Sequence, residues 1–150
     1  PKMRNQIRWE NVVYQDGNCE AIARTNGKVV ARHKIVTVGK AVALKAVADN
    51  SDWKADGMDL QHIRIIAVDS KGRRVPNAVA EVKVNVVGDA QLVAMSNGNI
   101  NSDELNVTDH QSLFNGSCLA ILRSGVASSP VIVNISAPGL KAAKLKLATK

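Results

Sequence analysis

Aromatic side chains are nearly missing from this chain. Trp9, Tyr14, Trp53 and Phe114 make up only 3% of its 150 residues. A core must therefore be built from Val, Ile, Leu and Ala, which suits thin, closely packed sheets. The shortage also argues against sugar recognition, which usually uses flat rings to cover the apolar faces of a pyranose. Cysteine is scarce as well: Cys19 and Cys118 stand far apart, each inside apolar alternation. A buried free thiol is expected at each, since a bridge would need Cα atoms within about 7 Å; the cysteine count leaves the compartment open. No apolar run reaches the length of about 18 residues that a spanning helix needs, so no membrane span is expected. No signal-peptide pattern is present. The chain opens on Pro1 rather than Met, and an excised piece of a longer protein is the expectation. No segment sustains a 3.6-residue period, which excludes a helical bundle, and no internal repeat stands out.

Charge is present in quantity but without focus. Hydrophobic residues are 45% of the chain, a globular rather than a disordered proportion. The formal net charge is +7, and a basic chain raises the question of nucleic acid. Here the cations are spread over the whole length, with one short cluster at Lys71, Arg73 and Arg74. Neither a basic helical stripe nor an aromatic platform accompanies them. The expectation is solvated charge that keeps the domain soluble, with no nucleic-acid partner.

What the chain has in abundance is strand pattern. Asn18 to Thr25 and Lys28 to Val38 flank Asn26-Gly27, the pair that a type I′ hairpin turn requires. Gly39-Lys40 reads as a joint. Further strands are predicted over Val42 to Ala48, Leu60 to Asp69, Glu81 to Val87, Gln91 to Met95, Ser117 to Ser124, Val131 to Ala137 and Lys141 to Ala148. Turns are expected at Asp56-Gly57, at Ser70 to Arg73, at Gly88-Asp89 and at Pro138-Gly139. Val75-Pro76-Asn77 should continue extended, because a residue preceding proline avoids the helical region. Ser96 to Asp109 is the longest polar stretch, and residues 103–112 have room for one helical turn. The run from Phe114 to Ser124 enters through Asn115-Gly116 and is apolar on both faces, the mark of a central strand of a sandwich. Short strands at near-regular spacing indicate an all-β sandwich of about seven strands. The two or three strands before residue 39 are marginal by themselves and must pair with something.

Chemistry-bearing groups do not converge. A retaining glycosidase needs two carboxylates about 5–5.5 Å apart, yet Glu10, Glu20, Glu81 and Glu104 fall in separate elements and read as solvated surface. His33, His62 and His110 lack zinc-ligand spacing. Oxygen-bearing residues alternate at Asn97, Asn99, Asn101 and Asp103 as in a calcium loop, but three neutral amides and one carboxylate make a weak site. Asn106, Asn115 and Asn134 open glycosylation-acceptor triplets, a pattern common by chance. No catalytic, cofactor-binding or metal-binding residue is therefore assigned, and no cofactor is expected.

Two blocks carry a family resemblance. Trp9-Glu10-Asn11-Val12-Val13-Tyr14, Glu20-Ala21-Ile22-Ala23-Arg24 and Gly27 to His33 resemble the final strands of an immunoglobulin-like domain near the C-terminus of bacterial β-galactosidases of glycoside hydrolase family 2. Val13 stands where proline is usual, and Asp16-Gly17 keeps the turn. Asp56-Gly57, Val68-Asp69, Gly72, Val75-Pro76-Asn77-Ala78, Asn97-Gly98, Phe114-Asn115-Gly116, Cys118 to Ile121 and Arg123-Ser124 resemble the terminal immunoglobulin-like domain of the same enzymes. The resemblance implies an immunoglobulin-like Greek-key sandwich over residues 39–150, preceded by terminal strands of a neighbouring immunoglobulin-like domain over residues 1–38. It also implies a parent hydrolysing terminal β-galactosides with retention, through two glutamates on a (β/α)₈ barrel that this chain lacks. The fragment itself would be non-catalytic, with a structural, interdomain or oligomerisation role. Its partners would be other domains of the parent, with self-association through strand edges as a further route. The compartment stays unassigned, the periplasm or cell exterior being favoured for the parent. The alternatives are a carbohydrate-binding module stacking a sugar on Trp53 or Trp9, and a surface adhesion module suggested by the invasin-like pattern of the second block.

Overall fold

A computed structural model describes residues 7–150; the first six residues of the 1–38 segment lie outside them. The chain divides into two compact units, Pro1–Thr37 and Val38–Lys150. The first is a hairpin of β1 (Asn18–Thr25) and β2 (Lys28–Val36). Asn26 and Gly27 take φ of 50° and 80°, both positive as the type I′ turn demands. Every residue from 7 to 36 is exposed, so this unit buries none of its apolar side chains among the described residues. Cys19 is exposed with the rest. This corrects the expectation of a buried thiol there: alternation alone buries nothing unless a second layer faces it.

The second unit holds eight strands: β3 (Ala43–Ala48), β4 (Leu60–Val68), β5 (Glu81–Val87), β6 (Ala90–Ser96), β7 (His110–Ser112), β8 (Ser117–Ser124), β9 (Pro130–Ala137) and β10 (Leu140–Ala148). They form one sheet in the order β6-β8-β4-β3-β10-β9-β5-β7. All neighbours are antiparallel except β3 and β10, which meet in parallel at Ala43 and Lys141. That narrow junction lets the sheet fold over on itself. Two four-stranded layers, β6-β8-β4-β3 and β10-β9-β5-β7, then face each other, nearly closing into a barrel. The expected immunoglobulin-like all-β fold is present, with the three-residue β7 as an eighth strand.

Alternation decides what lies between the layers. Ile63, Ile65 and Ala67 of β4, Cys118, Ala120 and Leu122 of β8, Val82 and Val84 of β5, and Val131, Val133 and Ile135 of β9 are all buried. Leu44, Trp53, Met95 and Leu113 complete this core. β8 lies between β6 and β4, the central position its two apolar faces imply. Burial pushes the Cys118 thiol up to about 12 and keeps it unreactive.

Two expectations need correction. Residues 103–112 hold no helical turn; the segment ends in β7, which pairs with Glu81 to Lys83 of β5. Val75-Pro76-Asn77 does not run on extended. The Val75 carbonyl accepts the Ala78 N–H at 3.1 Å, closing a turn with proline in its favoured second position. Gly88-Asp89 turns the chain as expected, carrying it from β5 in one layer to β6 in the other.

Candidate functional site

The buried carboxylate of the second unit is Asp69, at the end of β4. Its side chain is 1% exposed. Oδ1 accepts the N–H groups of Lys71 and Arg73, each at 2.9 Å. Oδ2 accepts Gly39 N–H at 3.0 Å and Arg73 Nε at 2.8 Å, while Arg73 Nη2 closes the ion pair at 2.6 Å. A buried charge persists only when its lone pairs are filled in this way. Asp69 thus fastens the turn after β4 to the joint at Gly39. The Arg73 guanidinium, followed by the Gly39 N–H, holds its carboxyl far below the usual range.

Glu104 was expected on the solvated surface, and the fold overrules that. Oε1 accepts the Ser112 N–H at 2.9 Å. Oε2 accepts Asn97 Nδ2 at 3.0 Å, Ser102 Oγ at 3.0 Å and Gln111 Nε2 at 2.8 Å. Hydrogen bonding from Ser112 leads the effects that lower its pKa, against partial burial that raises it. The carboxylate is a cross-brace between the long loop and β7. In the same loop, Asn97 Oδ1 accepts Asn99 N–H at 2.9 Å, and Asn99 Oδ1 accepts Asn101 N–H at 3.1 Å. These amide oxygens close Asx turns on their own backbone, which turns the alternation to local folding. No metal-competent cluster of His, Cys, Asp and Glu is found among the described residues.

The remaining candidates scatter. Glu10 and Glu20 pair with Arg8 and Arg32, at 3.9 and 3.2 Å. Glu81 is exposed on β5. His33 is exposed and His62 half-buried, on separate strands. His110 Nδ1 lies 2.9 Å from Asp109 Oδ1 and 3.0 Å from Thr108 Oγ1. Both contacts fall on one ring nitrogen, so the trio cannot relay a proton from hydroxyl to carboxylate as a nucleophilic triad does. The hydrogen bond that His110 donates to Asp109 raises the His110 pKa. Of the short basic cluster, Arg73 is committed to Asp69, and Arg74 donates to the Asn115 carbonyl and to Ser117 Oγ.

Trp53, considered above as a stacking platform, is 1% exposed. Its Nε1 donates to the Asp59 carbonyl at 3.0 Å, and no face is left for a sugar. The turn that carries it is knitted by acids: Asp56 Oδ1 accepts Met58 and Asp59 N–H at 2.9 and 2.7 Å, and Asp59 Oδ2 accepts Lys54 N–H at 2.8 Å. The Met58 and then the Asp59 N–H lower the Asp56 pKa.

These carboxylates set a pH dependence of stability. Asp69, Glu104 and Asp56 all have folded pKa values below their unfolded ones. Their contribution is complete above the unfolded value, about 4, and is lost as pH falls through the folded values. Asp69→Asn should lower Tm at pH 7 and give a shallower fall in Tm between pH 4 and 2. Thermal melts of both proteins across that window check this; parallel acid limbs would show that Asp69 is not the controlling group.

The comparisons agree with the architecture. Residues 44–146, more than half of the chain, match the family described as glycoside hydrolase family 2 C-terminal domain 5. A β-galactosidase of Bacteroides ovatus, BoGH2A, is 31% identical over 144 residues, covering 96% of this chain and 17% of that protein. A β-glucuronidase of Formosa agariphila is 28% identical over 139 residues, 90% of this chain and 14% of its own length. A solved glycosyl hydrolase family 2 member from Bacteroides cellulosilyticus superposes with a TM-score of 0.90 at 32% identity, over 93% of this chain and 18% of that one. The chain thus spans less than a fifth of each of these relatives.

Proposed function

The chain belongs to the glycoside hydrolase family 2 C-terminal domain 5 family, and from that premise we propose that it is a non-catalytic accessory domain of a β-galactosidase that hydrolyses terminal β-galactosides. Its work is architectural: it presents a rigid sandwich to the other domains of the parent and helps to set their arrangement. Residues 1–38 are the closing strands of a preceding immunoglobulin-like domain, and residues 39–150 are a complete one. The observation that carries the reading is how the carboxylates are used. Asp69 and Glu104, the two held most tightly by the fold, are filled by donors from their own loops, so neither oxygen pair is free to attack or protonate a substrate. Galactose as the parent's sugar is supported by the match to the Bacteroides ovatus β-galactosidase along 96% of this chain; the β-glucuronidase relative marks the competing substrate.

Nitrophenyl glycosides test both halves. The 150-residue chain should give no turnover of nitrophenyl β-galactoside above a mock preparation. The parent should hydrolyse the β-galactoside and leave the β-glucuronide nearly untouched. Turnover by the chain alone would end the accessory reading, and a parent preferring the glucuronide would end the assignment of galactose.

A further inference from the structure

The two faces of the β1-β2 hairpin are unlike. Cross-strand register sets Cys19 beside Ile35, Ala21 beside His33 and Ala23 beside Ala31 on one face. No Lys, Arg, Asp or Glu stands at these six positions. The other face pairs Glu20 with Lys34 and Ile22 with Arg32, and Arg32 reaches Glu20 at 3.2 Å. Alternation of this kind marks the first face for a core and the second for water. The segment before β1 follows the first face. Ile7 and Trp9 wall a groove of about 270 Å³ over Ala21, Ala23, Ala31 and His33. Val12, Val13 and Tyr14 wall another, of about 490 Å³, beside Cys19 and Ile35. Trp9, Tyr14 and Ile35 are 68%, 75% and 64% exposed. Among the described residues β1 and β2 have only each other as neighbours, and an isolated hairpin is marginal in water.

We infer that the Cys19–Ile35 face is the inner face of the preceding domain, and that a sheet formed by residues upstream of this chain packs onto it with large aliphatic or aromatic side chains. The inference rests on the reading of residues 1–38 as closing strands, and it adds which face is covered and by what. Size selects the occupant. Stacked sheets stand about 10 Å apart. Cys19, Ala21, Ala23 and Ala31 are too short to fill that gap, so the facing layer supplies the bulk that close packing demands. Two copies laid face to face would oppose these small side chains to the same small side chains and leave the gap unfilled. The match to the Bacteroides ovatus β-galactosidase takes in 144 residues of this chain, leaving too few outside it to omit β1 or β2, yet it is only 17% of that protein. Most of such a protein is therefore free to supply the facing layer.

Alkylation of Cys19 by iodoacetamide, read by peptide mass spectrometry, tests it. Cys19 should react freely in the 150-residue chain and severalfold more slowly in the full-length parent. Cys118, buried in the sandwich, should stay unreacted in both and so report an intact sandwich. Ala21→Gln in the parent should restore fast alkylation of Cys19, because it forces an amide into the covered face. Ile22→Gln, the same side chain on the opposite face, should leave Cys19 protected. Fast alkylation of Cys19 in the unsubstituted parent would overturn the proposal. So would exposure of Cys19 by Ile22→Gln but not by Ala21→Gln, and so would slow alkylation in the 150-residue chain, where the face would be covered without the parent. Hydrogen exchange of the β1 and β2 amides in the same parent samples separates the face from the domain. A reactive Cys19 beside protected amides refutes the choice of face alone, whereas a reactive Cys19 beside freely exchanging amides refutes the closing strands beneath it.

Discussion

Trp53→Ala should cost the domain about 3–5 kcal/mol, the range for removing a large aromatic from a packed core. Trp53 is 1% exposed and belongs to the main core cluster. Its neighbourhood gives little room for collapse. The Trp53 carbonyl accepts Lys150 N–H at 2.9 Å, and Ala55 N–H donates to the Lys150 carbonyl at 2.8 Å. Gln61 clamps the start of the same segment, accepting Asn50 N–H at 3.0 Å and donating to the Asn50 carbonyl at 2.6 Å. The indole therefore closes one end of the sandwich under a strap tied to the C-terminus. Trp53→Phe should be milder: it removes the Nε1 bond to the Asp59 carbonyl, which keeps the Ser124 N–H at 3.0 Å. Urea unfolding followed by far-ultraviolet circular dichroism measures the loss, because the substitution itself removes the buried tryptophan and Trp9 is already 68% exposed. A loss below about 1 kcal/mol would mean that the indole is not a core residue. Affinity electrophoresis on galactans gives the functional counterpart: a folded Trp53→Phe protein should migrate as the unsubstituted one does, because the buried Trp53 ring offers no face to a sugar.

The strands were legible because each is a two-residue alternation bounded by residues with special backbone needs. Asn26-Gly27 and Asn115-Gly116 announce turns with positive φ, and all four residues have it. The central position of β8 followed from its two apolar faces. What escaped was set by contacts distant in sequence. β7 is polar and three residues long; it is a strand only because β5 offers it an edge. Glu104 looks like loop surface, yet its carboxylate is held by Gln111 and Ser112, seven and eight residues on, brought near when the loop folds back. Trp53 sits between polar neighbours, Asp52 and Lys54, which hide it from any periodicity. The available signal was Asp56-Gly57-Met58-Asp59, a turn whose acids cap backbone N–H groups and so steer the preceding residues over the core. Cys19 failed for the opposite reason. Its alternation is real, but the described residues of its unit supply no second layer.

The same logic explains why two separate motifs, Val75-Pro76-Asn77 and Phe114-Asn115-Gly116, belong together. Gly116 adopts φ of 68°. Its carbonyl accepts Ala67 N–H at 3.0 Å, and the Ala67 carbonyl accepts Val75 N–H at 2.9 Å. The turn before β8 and the proline turn after β4 are thus pressed together at one corner. A Cβ on Gly116 would collide with the Val75 carbonyl oxygen and lie 2.9 Å from the Val75 carbonyl carbon and 3.2 Å from Pro76 Cα. All three atoms are backbone, so no side chain can swing aside. Gly116→Ala should therefore lose roughly 1–2 kcal/mol to the left-handed conformation and about 1–3 kcal/mol more to overpacking. Gly72→Ala is the control. Gly72 has a similar φ of 73°, with nothing within 4 Å of the added carbon, so it should show only the conformational part. The difference between the two in denaturant melts isolates the collision. Equal losses would mean that the two turns part readily, and that the corner does not depend on the absence of a side chain at position 116.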